Sequence, residues 1–266
     1  MPPQSRLVPG SREALLENLA WAGLDYDEGP GKGGSHGPYV QSERLDIYRD
    51  YAHRLMDSGH AYYDFRTPEE RSVLEATPGG RRRSQTTYQP PAEDQARDMI
   101  RDGKSYSVRL KFEPQAIQHE DVVFGSMTFP PDYDAEDPVL LKQDGWPTYH
   151  LASVVDDHLM KISHVFRGEE WLPSLPKHLV LYKALALEPP RFAHLPLLMN
   201  QDGSKLSKRS GHASLEDYRK QGYEPEALLN FIALMGYNHQ REITETDEGE
   251  SERDFMSMDH LIASVS

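Results

Sequence analysis

The chain has 266 residues, 37% of them hydrophobic and 9% aromatic, which is enough to bury the core of one large domain or two modest ones. It contains no cysteine, so disulfides and thiolate metal sites are excluded, and no apolar run reaches the roughly 18 residues that a membrane helix needs. A net charge of −14 argues against nonspecific binding of nucleic acid by the surface as a whole, so contact with a polyanion must rest on local cation clusters.

The opening MPPQSRLVPG has neither a signal-peptide core nor an Arg/Ser-rich presequence. In GSREALLENLAWAGL the spacing predicts a helix capped by Ser11, with Leu15, Leu16, Leu19 and Ala22 on one face and Gly23 as its stop. EGPGKGGSHGP reads as a loop, and QSERLDIYRDYAHRLMDSGH as a second helix with Ser42 as cap and Gly59 past its end. TPEERSVLEA begins a third, because Thr67 and Glu70 have capping-box spacing and Pro68 suits the first helical position. The basic triplet Arg81-Arg82-Arg83 and the helix EDQARDMIRDG follow.

A β-rich stretch comes next. SYSVRLKF alternates Tyr106, Val108, Leu110 and Phe112, while DVVFGSMTF and PVLLKQDGWPTY carry β-formers around glycine turns. Beyond Pro147 the order becomes helix (TYHLASVVDDHLM), strand (ISHVFRG), helix (SLPKHLVLYKAL) and strand (HLPLLMN), which implies parallel strands with crossover connections. From ASLEDYRKQGYEPEALLNFIALMG onward the pattern is helical, and seven acidic residues lie between Glu242 and Asp254.

Ligands of open parallel sheets bind at the carboxyl ends of the strands, which places HVFRGEEW and LLMNQDGSKLSKR at one site. In the second segment Lys205, Lys208 and Arg209 lie between Gly203 and Gly211, so the ammonium groups can swing onto a polyphosphate as charge develops during attack on phosphorus. The cluster Asp156, Asp157, His158 and His164 suggests a metal site, but three contiguous side chains cannot all face one ion from a helix.

DGSKLSKR resembles the KMSKS-type signature of class I aminoacyl-tRNA synthetases, and PTYHLASVVDDHLMKISHVFRGEEWLPS is similar to the glutamate-recognition region of glutamyl-tRNA synthetases. GPYVQSERLDIYRDYAHRLMDSGHAYY and ASLEDYRKQGYEPEALLNFIALMGYN resemble the same family, so the likeness runs to about Asn238. It implies that Tyr149, Ser153 and Arg167 contact glutamate, that Glu170, Leu197 and Leu198 line the ATP pocket, and that Trp171 lies near the tRNA 3′ end. Lys205 and Lys208 match the lysines that stabilise the ATP phosphates, the catalytic pair of this reading. A guanidinium is suited to its part, because it grips a carboxylate with two parallel hydrogen bonds.

The implied fold is α/β: an incomplete Rossmann-like catalytic domain at 1–63 and 148–210, a β-rich acceptor-binding insertion at 64–147, and a helical stem-contact segment at 211–266. The implied activity is a discriminating glutamate-tRNA ligase that uses ATP with Mg2+, glutamate and tRNA(Glu), works as a monomer away from membranes, and holds no zinc. Ser153 stands where many bacterial members have Asn. The first strand, the HIGH signature and the anticodon-binding region of the family have no counterpart in the sequence, so the chain reads as a fragment or a misplaced start and weak adenylate formation is expected. GPGKGGSHGP is similar to organellar enzymes of fungi, which makes a mitochondrial location the expectation and bacterial cytoplasm the alternative. The rival readings are a silent tRNA-binding or regulatory protein, a relative that glutamylates a modified tRNA nucleoside, and a metal-dependent hydrolase.

Overall fold

The computed structural model describes residues 9–75, 88–113, 115–131, 133, 137–197, 199, 215–236 and 256–263. Its first elements are α1 (Ser11–Trp21), α2 (Leu45–Asp57), β1 (Ala61–Asp64), α3 (Pro68–Glu75), α4 (Glu93–Arg101) and β2 (Ser107–Leu110). The hairpin β3 (Ile117–Asp121) and β4 (Gly125–Phe129), then β5 (Val139–Leu141), α5 (Tyr149–Leu159), β6 (His164–Gly168), α6 (Leu175–Ala184) and β7 (Arg191–Leu195) follow. Helices α7 (Leu215–Lys220), α8 (Pro225–Gly236) and α9 (Met258–Ala263) come last. The described residues fall into two units, those within Glu28–Leu198 and those within Pro3–Asp27 and Met199–Ser266.

In the first unit α2 presents Tyr48, Tyr51, Ala52 and Leu55 on one stripe at helical spacing, and all four are buried. That stripe joins Leu151, Ala152, Val154 and Val155 of α5 and Leu175, Leu181 and Tyr182 of α6 in one core. A buried ion pair pins the helices together: Arg44 Nε donates to Asp156 Oδ1 at 2.8 Å, and the Tyr48 hydroxyl reaches the same carboxylate at 2.8 Å. Strands β1, β2 and β5 form an antiparallel sheet, with an irregularity at Val108/Arg109. The β3–β4 hairpin reaches β7 through its turn, where Val122 N–H donates to Phe192 O at 2.8 Å. Strands β6 and β7 pair in parallel with Arg167 opposite His194 and Gly168 opposite Leu195. In the second unit the Asn230 side chain of α8 pairs with the Met256 backbone in both directions, at 2.8 and 2.7 Å.

The capping box is present as expected: Thr67 N–H donates to Glu70 Oε2 at 2.8 Å, and Glu70 N–H to Thr67 Oγ1 at 3.1 Å. Gly23 ends α1 with φ 69°, a value that favours glycine. Three expectations are corrected. Ser11 is the first helical residue of α1 rather than its cap, because Gly10 at φ 76° turns the chain into the helix. Ser42 lies inside a short 3₁₀ turn, Gln41–Glu43, and α2 starts after Arg44, whose side chain is committed to Asp156. The last strand is not HLPLLMN but RFAHL, Arg191–Leu195, because Pro196 has no N–H to continue the ladder.

Candidate active site

The carboxyl ends of β6 and β7 meet where β6 runs into the 3₁₀ turn Glu169–Ser174 and β7 ends before Pro196. Arg167, the penultimate residue of β6, sits at this edge with its guanidinium held by two imidazoles and a phenol. Its Nε donates to His194 Nε2 at 2.9 Å, and its Nη1 reaches the Tyr149 hydroxyl and His178 Nδ1, each at 3.3 Å. The Phe192 ring lies 5.1 Å from the guanidinium carbon. Nη2 is buried and has no hydrogen-bond partner among the described residues. A buried, unmatched cationic donor is costly, and a carboxylate is the group that best satisfies it.

The neighbours are themselves fixed. His194 is fully buried and its Nδ1 lies 2.6 Å from Asp121 Oδ2. Burial by itself would raise the Asp121 carboxyl, but hydrogen bonds from His194 and from the Phe124 and Val123 backbone bring it below the usual carboxylate value. His178, on α6, is held well below the ordinary imidazole value by burial and then by the Arg167 charge. Neutral His178 can therefore accept from Arg167 at Nδ1 while its Nε2 proton goes to His150 Nδ1, 3.1 Å away.

Tyr149 is the first residue of α5, and its ring lies 4.4 Å from Trp171 and 5.5 Å from His178. Tyr149, Arg167 and Trp171 thus form one cluster, with both aromatic rings partly open to solvent. Ser153 is not drawn into it: its hydroxyl turns back onto the His150 carbonyl of its own helix, 3.5 Å away. The Glu170 carboxylate folds over Gly168, where an added Cβ would stand 2.8 Å from its Cδ. The preceding residue, Glu169, accepts the Leu197 backbone N–H at 3.2 Å and so ties the two strand ends together. Leu198, Lys205 and Lys208 lie outside the described residues. The sequence reading did not single out Asp121, His150, His178 or His194. The available signal was a histidine inside the apolar runs FAHLPLL and LPKHLVL, where burial demands a partner.

Beside Tyr149 and His150 opens a cavity of about 630 Å³ whose wall includes Arg71, Arg109 and Lys177. Part of the Arg109 charge is matched by Asp64, 2.7 Å away. Among the described residues no group of three or more His, Asp or Glu could hold a metal ion. Asp156 and Asp157 face different partners, Asp156 turning to Arg44 and Asp157 to Tyr182. No helix among the described residues is long and apolar enough to cross a membrane.

The chain is 45% identical over 274 residues to a glutamate-tRNA ligase of Chlorobaculum parvum, a match that covers 99% of the chain and 52% of that relative. It is 46% identical over 236 residues to the glutamate-tRNA ligase of Thermus thermophilus, covering 88% of the chain and 50% of the relative. A crystal structure of glutamate-tRNA synthetase from Elizabethkingia anophelis superposes with a TM-score of 0.81 at 35% identity, covering 98% of this chain and 56% of that one. The chain therefore spans about half the length of the curated relatives it matches. The family model "tRNA synthetases class I (E and Q), catalytic domain" matches residues 3–265, and with the cluster at the ends of β6 and β7 this establishes that the chain belongs to that family.

Proposed function

We propose that this chain supplies the glutamate-recognition part of a glutamate-tRNA ligase, an enzyme that activates glutamate with ATP and transfers it to tRNA(Glu). The observation that carries the reading is Arg167, whose buried Nη2 has no hydrogen-bond partner among the described residues while ring nitrogens of His194 and His178 hold Nε and Nη1. In this reading a substrate carboxylate meets Nη2, the Tyr149 hydroxyl orients the substrate, and Trp171 stacks beside the tRNA end. Arg71, Lys177 and the partly matched Arg109 outnumber Asp137 on the wall of the adjoining cavity, a balance that favours a phosphodiester backbone. Magnesium enters with ATP as part of the substrate, and Lys205 and Lys208 meet the phosphates by the family likeness alone.

Glutamate binding by the 266-residue chain, followed by calorimetry with glutamine as the control ligand, tests the proposal directly. Arg167→Ala is expected to weaken glutamate binding at least about tenfold, since a charge-assisted contact contributes roughly 1.5–3 kcal/mol. Equal affinity for glutamate in the parent and the variant would remove Arg167 from the site. Retention of tRNA without any glutamate binding would favour a tRNA-binding role instead.

A further inference from the structure

Asp121 and His194 are both fully enclosed, with side chains at 0% exposure, so neither can touch a ligand. They nevertheless form a continuous chain to the one guanidinium edge that the proposed function depends on. Asp121 Oδ1 accepts the backbone N–H groups of Val123 at 2.9 Å, Phe124 at 3.1 Å and His194 at 3.3 Å, which anchors the carboxylate on the turn of the β3–β4 hairpin. Its Oδ2 faces His194 Nδ1, and His194 Nε2 faces Arg167 Nε. Arginine can only donate, so His194 Nε2 must be unprotonated and the ring proton must sit on Nδ1, pointing at the carboxylate.

We propose that Asp121 and His194 are positioning residues for Arg167: the carboxylate selects the Nδ1–H tautomer of His194, and that tautomer supplies the acceptor that aims the guanidinium so that Nη2 faces the ligand. This rests on the glutamate-site reading for its consequence, but not for its geometry. The arrangement also makes a β-rich hairpin, distant in sequence, part of the amino-acid site. Asp121 and His194 are separated by 73 residues, and His194 and Arg167 by 27.

The most informative variant is Asp121→Asn, which nearly preserves shape. If the side-chain oxygen keeps the three backbone N–H groups, the amide NH2 then faces His194 Nδ1. Two donors cannot share that contact, so the imidazole proton moves to Nε2 and Arg167 loses its acceptor. Nitrogen-15 NMR of the full chain reads this in two places: the tautomer of His194, and the solvent-exchange protection of the Arg167 Nε–H. We expect an Nδ1–H imidazole and a protected Nε–H in the parent, with both lost in Asp121→Asn. In parallel, glutamate affinity should fall about five- to tenfold, the size expected for one misaligned charge-assisted contact. His194→Leu should behave like Asp121→Asn, while His194→Gln, whose amide oxygen can reach the Nε2 position, should restore Nε–H protection and most of the affinity.

An Nε2–H tautomer in the parent overturns the proposal, as does unchanged Arg167 Nε–H protection in both Asp121→Asn and His194→Leu. Unchanged glutamate affinity in those two variants, with Arg167→Ala still deleterious, also refutes it. If Arg167→Ala leaves glutamate binding untouched, the functional reading fails, and the positioning pair is then judged on the two NMR signals alone. Should His194→Leu fail to fold, Asp121→Asn and His194→Gln carry the same test.

Discussion

Asp157 lies on α5 with its carboxylate directed at α6, where Tyr182 donates to Oδ2 at 3.1 Å. Burial is the main reason that its carboxyl is pushed up from 3.8 to about 6, with the neighbouring Asp156 adding to the rise and Tyr182 and Arg167 opposing it. The folded-state value lies above the unfolded one, so the folded chain binds the proton more tightly. This contribution to stability is complete below about pH 4 and is lost as the pH rises through about 6. One pKa unit corresponds to about 1.4 kcal/mol, so the charged carboxylate costs the fold roughly 3 kcal/mol at pH 8. Asp157→Asn removes the charge, and its amide oxygen can still accept from Tyr182. Allowing for desolvation of the amide, the variant should be more stable by about 2 kcal/mol at pH 8, with the gain fading between pH 6 and pH 4. Urea unfolding of the parent and the variant, followed by circular dichroism at pH 4, 6 and 8, measures it. A difference that does not vary with pH, or a variant less stable at pH 8, would show that Asp157 is not a half-buried carboxylate whose charge costs the fold stability.

Arg44→Met leaves the Asp156 carboxylate buried without its guanidinium, and should destabilise the chain by roughly 3 kcal/mol in urea unfolding at neutral pH. Thr67→Ala removes half of the capping box of α3 and should cost about 1 kcal/mol, seen as faster amide exchange in that helix while α2 and α5 keep their protection.

The sequence alone determined the features that are local or periodic. The existence of α2, the Thr67–Glu70 box, the Gly23 stop and the alternation that predicts a parallel strand pair follow from spacing and turn signals, and the structure contains each of them. Tyr149, Arg167 and Trp171 were legible for a related reason, because they lie in one continuous stretch whose order carries the family likeness. The strand before the second loop was misplaced, since apolar character runs on through Leu197 whereas the ladder needs an N–H that Pro196 lacks. Helix entry at α1 and α2 was also misread, because Ser11 and Ser42 are good caps by type but the turn at Gly10 and the burial of Arg44 decide where each helix begins. What only the tertiary structure decided is how Arg167 is held. Hydrophobic periodicity records that His178 and His194 are buried, but it cannot say which atom each ring meets. That depends on the parallel register setting His194 beside Arg167 and on the docking of a hairpin that delivers Asp121, and a hydrogen bond exists only when both partners arrive within about 3 Å in the right tautomer.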